Sequence, residues 1–494
     1  MVDKMKYLLG IDFGGGASKA TLLREDGEIT ATATYEYPTL YPKPGWTEQD
    51  PEDWVKATVS NIKAVLEKSN VNPADIAAVS MDAATHTAVI MDGDFNVLRP
   101  AIYWTDTRSK DEVSYLKENF SDVIDKEVLH KADTIWSLPE LLWIKNNEPE
   151  IWAKTEKILF AKDYVRHRLT GDYVTDYIEA EGSMMFDINT LSWSKTLCGI
   201  LDLDVDKMPE IVKPTDIVGE ITEDASKLTG LAKGTPVLCG TTDTVMEVFA
   251  SGAVSKGQMT LKLATAGRIC VITDKPYPDI NLINYSHILD GLFYPGTATK
   301  SCAASYRWYR DTFGGDYFEL DEGAKNIPIG SEGLVFHPYL NGELTPYANP
   351  NLCADFVGVR ASHTKAHFTR AVLEGVTMSM LDCITALDSL EVPHNDKATI
   401  IGGGGKSPLW RQMVSDALGL KLVEMKYADS SFGSAMMAGV AVGIFTDAES
   451  AVKTCNEVVS ETLPNEENTK EYQKLYKKYK AIQKALEPIY NGEF

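Results

Sequence analysis

Cysteine is sparse and scattered in this chain. The seven cysteines stand about thirty or more residues apart and form no C-x-x-C pair, so the sequence predicts neither a disulfide framework nor a zinc knuckle. No apolar run is long enough to span a membrane, and the apolar patch before Asp12 is too short for a signal peptide. We therefore expect a cytoplasmic protein with reduced, mostly buried thiols and no membrane segment.

Positive charge is also in short supply. The chain has 48 basic and 71 acidic side chains, which gives a formal net charge of −23. Because phosphate backbones and acidic lipids repel such a chain, we expect no nucleic-acid partner and no membrane surface as a partner. A small anionic ligand remains compatible, since a local group of backbone N–H donors can bind phosphate whatever the net charge.

The common nucleotide-binding motifs are incomplete. The piece Gly405-Lys406-Ser407 ends like a P-loop, but that motif requires glycine at the position of Ile400. Gly14 and Gly16 begin a dinucleotide fingerprint whose third glycine is replaced by Lys19. Each glycine turn taken alone is compatible with a purely structural turn. Three such turns in one chain favour a phosphate site divided among them.

The length predicts two large domains, because 494 residues exceed what one hydrophobic core organises. An apolar strand at 7–11 and another at 259–263 each lead into a glycine-containing turn, and residues 76–80 are typical of a buried strand. Helical patterns lie between the strands: one begins at the N-cap Asp50, and another runs from the cap Ser407 to Gly419. This alternation favours an α/β architecture. We place the N-terminal domain at 1–247 and the C-terminal domain at 248–494, with a final amphipathic helix at about 467–487.

Two aspartates and one aromatic segment are candidates for chemistry. Asp12 and Asp243 each follow an apolar strand, where α/β sheets usually place ligand-handling groups; capping or turn formation is the alternative for each. If residues 103–108 were extended, Trp104, Asp106 and Arg108 would share one face. Such a trio suits a polyol, and an internal Asp–Arg pair is the alternative.

Seven segments occur in one order along nearly the whole chain: 10–14, 46–51, 103–108, 162–164, 241–243, 338–343 and 402–412. Their joint order resembles the FGGY family of carbohydrate kinases, and within it most closely the xylulose kinases. The resemblance implies an α/β fold of two ribonuclease H-like, actin-like ATPase domains flanking a catalytic cleft. It also implies transfer of the ATP γ-phosphate, with Mg²⁺, to the terminal primary hydroxyl of a ketose, with D-xylulose as the first candidate.

The resemblance assigns roles to individual residues. Asp243 matches the general base, and Asp12 matches the residue that organises Mg²⁺, partly through water. The residues that match the sugar side are Thr85, His86, Trp104, Asp106, Asp243 and Thr244. The residues that match the nucleotide side are Gly14, Gly15, Gly16, Lys19, Thr265, Gly267, Ala303, Arg307, Gly403, Gly404 and Ser407. Positioning and charge neutralisation by such a set suffice for phosphoryl transfer.

Some positions depart from the family pattern. Gly15 and Gly16 replace hydroxyl residues, Thr85 replaces methionine, Thr244 replaces asparagine and Leu344 replaces arginine. Another pentulose, a hexulose or a polyol therefore fits as well as D-xylulose. A non-catalytic sugar or nucleotide sensor and an actin-like ATPase without a sugar are the alternatives on the same fold. The small-molecule partners expected are a ketose and ATP, and a homodimer is left open.

Overall fold

The computed structural model of the chain describes residues 5–279 and 281–493. Packing divides the chain into two compact units. Unit 1 consists of Met1–Val254, Tyr285–Gly291 and Tyr427–Asn456, and unit 2 consists of Ser255–Asn284, Leu292–Lys426 and Glu457–Phe494. The first division lies close to the predicted one at 247/248, but two later segments return to unit 1. Simple halves of the sequence therefore do not describe the packing.

Twenty-three strands lie in the described residues: β1 Tyr7–Phe13, β2 Ala17–Arg24, β3 Ile29–Glu36, β4 Glu48–Gln49, β5 Ile76–Ala83, β6 Ala88–Met91, β7 Ala101–Ile102, β8 Lys157–Phe160, β9 Val174–Asp176, β10 Phe186–Asp187, β11 Ser192–Trp193, β12 Glu210–Val212, β13 Ile217–Glu220, β14 Pro236–Leu238, β15 Thr241–Thr242, β16 Met259–Leu263, β17 Gly267–Val271, β18 Gly296–Thr299, β19 Val335–His337, β20 Asp355–Val357, β21 Lys397–Ile401, β22 Lys421–Met425 and β23 Val458–Thr462.

Sixteen α-helices lie in the same part of the chain: α1 Pro51–Ser69, α2 Lys110–Glu127, α3 Ser137–Asn147, α4 Pro149–Trp152, α5 Ala161–Thr170, α6 Tyr177–Gly182, α7 Lys195–Ile200, α8 Glu223–Thr229, α9 Asp243–Ala250, α10 Ala303–Phe313, α11 Tyr317–Ala324, α12 Lys365–Ser389, α13 Pro408–Leu418, α14 Ser430–Ala441, α15 Ala448–Cys455 and α16 Glu466–Tyr490. Strands and helices alternate along the chain, so the predicted α/β class is confirmed. The last helix, α16, covers the range predicted at about 467–487.

The structure bears on membrane-spanning helices and on the cysteines. Among the described residues, no helix is both long and apolar enough to cross a membrane. All seven cysteines are free thiols, and six of them are buried while Cys353 is exposed. The prediction that most of the thiols are buried is therefore confirmed, and their reduced state stays a prediction.

Unit 1 is built on a mixed sheet of seven strands in the order β13-β14-β5-β1-β2-β3, with β15 also paired to β5. Strand β1 runs parallel to β5 and antiparallel to β2. The side chains of Leu9, Ile11, Val79 and Met81 are fully buried in its core. Helix α1 starts where the sequence predicts, because the Asp50 side chain accepts a hydrogen bond from a backbone N–H in the first turn.

Two segments from later in the chain complete unit 1. Helix α14 lies directly against β1, since a Cβ atom at Gly10 would stand 1.9 Å from the carbonyl oxygen of Ser431. The segment 285–291 is attached through Glu181, whose carboxyl oxygens bond to the amide and the hydroxyl of Ser286 at 2.8 and 2.6 Å. The Tyr177 hydroxyl donates to the carbonyl of His287 at 3.0 Å.

Unit 2 contains a six-stranded sheet in the order β18-β17-β16-β21-β22-β23. Strands β16, β21 and β22 are mutually parallel, and β17 folds back on β16 as a hairpin. Helix α12 is buried over most of its length in the core of this unit. Helix α13 begins at the predicted cap Ser407, whose side chain accepts from the Trp410 amide, and ends at the left-handed Gly419.

Candidate active site

Three carboxylates meet at one edge of the unit 1 sheet. Asp12 and Asp82 are directly paired across the parallel strands β1 and β5. Thr241 of β15 pairs with Asp82 from the other side of β5, and Asp243 is the first residue of α9, immediately after β15. Parallel strands bring their carboxyl ends to one edge, which is where α/β sheets bind ligands. The predicted residues Asp12 and Asp243 are thus brought together, and Asp82 joins them.

The shared location raises the pKa values of two of these groups. Burial raises the pKa of Asp12 to about 7, and the negative charges of Asp243 and Glu247 act in the same direction. Burial and the charge of Asp12 raise the pKa of Asp82 well above its ordinary value, while the Ser434 hydroxyl donates to Asp82 at 2.5 Å and opposes the shift. Both shifts favour the protonated form of the carboxyl groups at this edge.

Asp243 carries the features of an accessible base. Its side chain is partly exposed, in contrast to the fully buried Asp82. The hydroxyl of Thr244 donates to Asp243 Oδ1 at 3.2 Å. A donor on one oxygen helps to orient the carboxylate, and a positioned carboxylate is a group that can act as a general base.

Helix α14 is a part of this site that the sequence analysis missed. A side-chain hydrogen bond from Ser430 opposes part of the rise in the pKa of Asp12. The first turn of the helix therefore reaches the carboxylates. Asp429 caps the helix by accepting from the Phe432 amide at 3.2 Å. The Asp429 carboxylate also lies 3.1 Å from the ammonium of Lys19. In the sequence, an acidic cap followed by small residues indicates a closely packed helix. It does not indicate which strand that helix packs against.

The glycine turn between β1 and β2 is held by donors from its own unit. The hydroxyl of Tyr37 donates to the carbonyl of Gly14 at 2.5 Å. The carbonyl of Gly15 accepts from Thr39 and from Gln49, at 2.7 and 2.8 Å. Both Gly15 and Gly16 are exposed. The turn is therefore a defined structure whose carbonyls face protein donors.

His86 lies in a buried aromatic cluster of unit 1. Its backbone has a positive φ of 56°, and its amide donates to the carboxylate of Glu179. The imidazole ring stands 4.8 Å from the ring of Trp136. Burial lowers the pKa of His86 to about 3, so its ring is neutral. A neutral ring can either donate or accept a hydrogen bond, which suits a hydroxyl-rich ligand. The neighbouring Thr85 is partly buried.

The predicted strand over 103–108 is wrong. Strand β7 covers only Ala101–Ile102, and the following residues form turns. Asp106 is 1% exposed and accepts hydrogen bonds from Arg108 and from the amide of Thr47. Trp104, in contrast, is 42% exposed. The acid and the base of the predicted trio pair internally because the turn directs them inward, and the tryptophan alone is presented to solvent.

The residues predicted for the nucleotide in unit 2 gather at one end of its sheet. The carbonyl of Thr265, in the turn after β16, accepts from the amides of Cys302 and Ala304 at 3.0 and 3.3 Å. Ala303 donates to the carbonyl of Ala264 at 2.7 Å. A Cβ at Gly404 would stand 3.0 Å from the Leu263 carbonyl, so the turn after β21 touches the end of β16.

The other predicted residues of unit 2 lie beside this cluster. A Cβ at Gly267 would stand 2.6 Å from the sulfur of Met380, which leaves room only for glycine. Gly403 begins a short 3₁₀ helix, and Ser407 donates to Asp321 at 2.6 Å while it caps α13. Arg307 is exposed on α10. Two glycine-containing turns and the start of α10 therefore form one surface of unit 2.

Comparisons with known proteins identify the family of the chain. Residues 7–250 match the N-terminal domain of the FGGY family of carbohydrate kinases, and residues 291–442 match its C-terminal domain. The chain is 31% identical over 484 residues to the xylulose kinase of Bacillus subtilis, covering 97% of both chains.

Solved structures show the same similarity. Ligand-bound xylulose kinase from Lactobacillus acidophilus superposes with a TM-score of 0.93 at 27% identity, over 99% of this chain and 100% of the other. Gluconate kinase from the same organism gives the same TM-score, identity and coverage. These neighbours have the actin-like ATPase fold. The chain therefore belongs to the FGGY family of carbohydrate kinases.

Proposed function

We propose that the protein transfers the γ-phosphate of ATP to the terminal primary hydroxyl of a ketose, with D-xylulose as the first candidate. The observation that carries this proposal is the position of Asp243 beside Asp12 at the edge of the unit 1 sheet. Asp243 is the general base that takes the proton of the attacking hydroxyl. Such assistance is typically about 10²–10⁴-fold.

The donors near Asp12 fit a magnesium ion. Mg²⁺ is usually held by one or two carboxylates together with phosphate oxygens and water. Within the two described ranges, no group of three or more His, Cys, Asp or Glu side chains is arranged to hold a metal. The negative charges of Asp243 and Glu247, which add to the rise in the pKa of Asp12, are charges that a bound cation would partly neutralise. When bound, the ion would neutralise charge on the phosphates.

The nucleotide contacts follow from the glycine turns. In unit 1, the exposed Gly15 and Gly16 present backbone amides where the family usually adds hydroxyls, and Lys19 supplies a positive charge. In unit 2, the surface formed by Thr265–Gly267, Ala303 and the turn at 403–407 is the part of that unit that we assign to the nucleotide. Kinases of this family use ATP.

The acceptor is proposed from the sugar-side residues and the relatives. His86, Thr85, Trp104 and Thr244 are the side chains of unit 1 that we assign to the sugar, whereas Asp106 acts indirectly by holding its turn. Two relatives named above phosphorylate xylulose according to their names and one is named for gluconate. D-gluconate therefore joins other pentuloses, hexuloses and polyols as alternative acceptors. A homodimer stays a prediction, and the free thiols support a cytoplasmic location.

A coupled ADP assay tests the proposal. The acceptor panel contains D-xylulose, other pentuloses, hexuloses, polyols and D-gluconate, with a sugar-free reaction as background. Asp243→Asn should lower the sugar-dependent rate by about 100-fold or more. Glu247→Gln removes one charge from the same helix and should keep most of the rate. Near wild-type turnover by Asp243→Asn would refute the assigned base, and ADP formation without any acceptor dependence would favour a sugar-free ATPase.

A further inference from the structure

Two of the four residues that precede Asp243, Cys239 and Thr241, are bonded to a buried network of charges in unit 1. We propose that Thr241 is a positioning residue for phosphoryl transfer, because its hydroxyl anchors the short strand that presents Asp243. This inference rests on the proposed role of Asp243 as the base. Thr241 itself is fully buried, so we assign it no contact with the substrate.

The anchor is a hydrogen bond to a buried acid. The Thr241 hydroxyl donates to Asp176 Oδ1 at 2.8 Å, and both residues have no exposed surface. Asp176 also caps α6 and lies 2.9 Å from the ammonium of Lys162. An acid held by a helix terminus and a buried cation cannot turn freely, so it provides a fixed point for Thr241.

The backbone before Thr241 is fixed as well. Arg166 donates to the carbonyl of Cys239 at 2.5 Å, and its guanidinium is held in turn by Asp163 and Asp172. Gly240 has a φ of 74°, and a Cβ there would stand 2.0 Å from the carbonyl oxygen of Met81. The chain at Gly240 therefore passes directly against β5.

The strand that leads to Asp243 is very short. Strand β15 contains two residues and pairs only with β5 among the described strands. A ladder of this length restrains Asp243 weakly, so the side-chain bond from Thr241 supplies restraint that a longer strand would provide. Catalytic groups must stay within about 0.5 Å of the productive geometry, and a misplacement of about 1 Å can lower the rate by about 100-fold.

Thr175 offers a matched control for a merely structural role. Its hydroxyl donates to Asp163 Oδ2 at 2.7 Å, and Thr175 is also fully buried. It lies on β9, and its acceptor Asp163 also holds Arg166, so Thr175 stands further from the segment that presents Asp243 than Thr241 does. Residue type, burial and acceptor type are equal for the two threonines, and only Thr241 lies in that segment.

The experiment compares Thr241→Val, Thr175→Val and Thr241→Ser. The urea midpoints of both valine variants should fall by similar amounts, since each loses one buried bond to a carboxylate. Thr241→Val should lose kcat by about 10–100-fold, a clearly larger loss than that of Thr175→Val, with the KM for sugar nearly unchanged. Thr241→Ser should restore kcat because it keeps the hydroxyl. If Thr241→Val does not fold, Thr241→Cys carries the same prediction with a weaker donor.

The outcomes separate this inference from the proposed function. Equal kcat losses in Thr241→Val and Thr175→Val, or an unchanged kcat in Thr241→Val, would overturn the positioning role while Asp243→Asn remained inactive. If Asp243→Asn were active, Asp243 would not be the base. Thr241 would then have no catalytic group to position. A selective kcat loss in Thr241→Val with recovery in Thr241→Ser supports the inference.

Discussion

Glu181 should make the stability of unit 1 fall as the pH rises. Burial raises the pKa of Glu181 from its ordinary value of 4.5 to about 8, and the charge of Asp176 adds to the shift, while the two hydrogen bonds with Ser286 oppose it. A carboxyl group with a higher pKa in the folded state binds more protons when folded. The stability that it contributes is therefore fully present below pH 4.5 and is lost as the pH rises through about 8.

The magnitude follows from the pKa. Between pH 6 and pH 8 the folded protein stays protonated at Glu181 while the unfolded chain is ionised, so stability falls by about 1.4 kcal/mol per pH unit, or roughly 2–3 kcal/mol in total. Above about pH 8 the contribution is gone. Glutamine has the same shape as the protonated glutamate but does not titrate. In Glu181→Gln the free energy of unfolding should therefore lack this decline with pH.

The assay is urea unfolding of wild type and Glu181→Gln at pH 6, 7.5 and 9, read as the difference between the two proteins at each pH. That difference cancels every other titrating group. Between pH 6 and pH 9, the free energy of unfolding of Glu181→Gln should rise relative to that of wild type by roughly 2–3 kcal/mol. Glu210→Gln, at an exposed glutamate of β12, controls for the loss of a carboxylate as such. An equal difference at pH 6 and pH 9 would refute the reasoning.

Three further predictions concern the carboxylate edge. Asp12→Ala should raise the Mg²⁺ and ATP concentrations needed for half-maximal rate by about tenfold while the KM for sugar changes little; unchanged metal and ATP dependence would count against this role. Gly10→Ala should destabilise unit 1 by about 1–3 kcal/mol in urea unfolding, because its Cβ would overlap the backbone of α14. Gly16→Ala, where a Cβ meets nothing within 4 Å, is the control, and equal losses would contradict the packing argument. Asp429→Asn keeps the helix cap but releases Lys19, so stability should change by less than about 1 kcal/mol while the KM for ATP rises; an unchanged KM would remove Lys19 from the phosphate site.

Features set by local chemistry were predictable from the sequence. The start of α1 at Asp50 and the limits of α13 at Ser407 and Gly419 are confirmed, because capping depends on residues a few positions apart. The strand after Tyr103 was wrong, and the internal Asp–Arg pair named as its alternative is what forms, because alternation of residue types does not decide between the two.

Contacts between distant segments were not predictable in this way. Asp82 lies in a strand that the sequence identifies as buried, but its pairing with Asp12 depends on sheet order. The bond between Thr21 and Ser431 joins residues separated by 410 positions. Periodicity reports which face of an element is buried and carries no record of its partner.

During synthesis of the chain, the last helices of unit 1 are translated long after the rest of that unit. Positions 254 and 456 are 202 residues apart, a stretch that a ribosome adding roughly 5–20 residues per second translates in about 10–40 s. During this interval β1 has no α14 against Gly10, and the apolar surface meant for that helix is open to water or to a chaperone. A fragment ending at Val254 would keep this surface open permanently, so it should aggregate when produced alone, and slowing translation beyond residue 254 should lower the yield of folded protein.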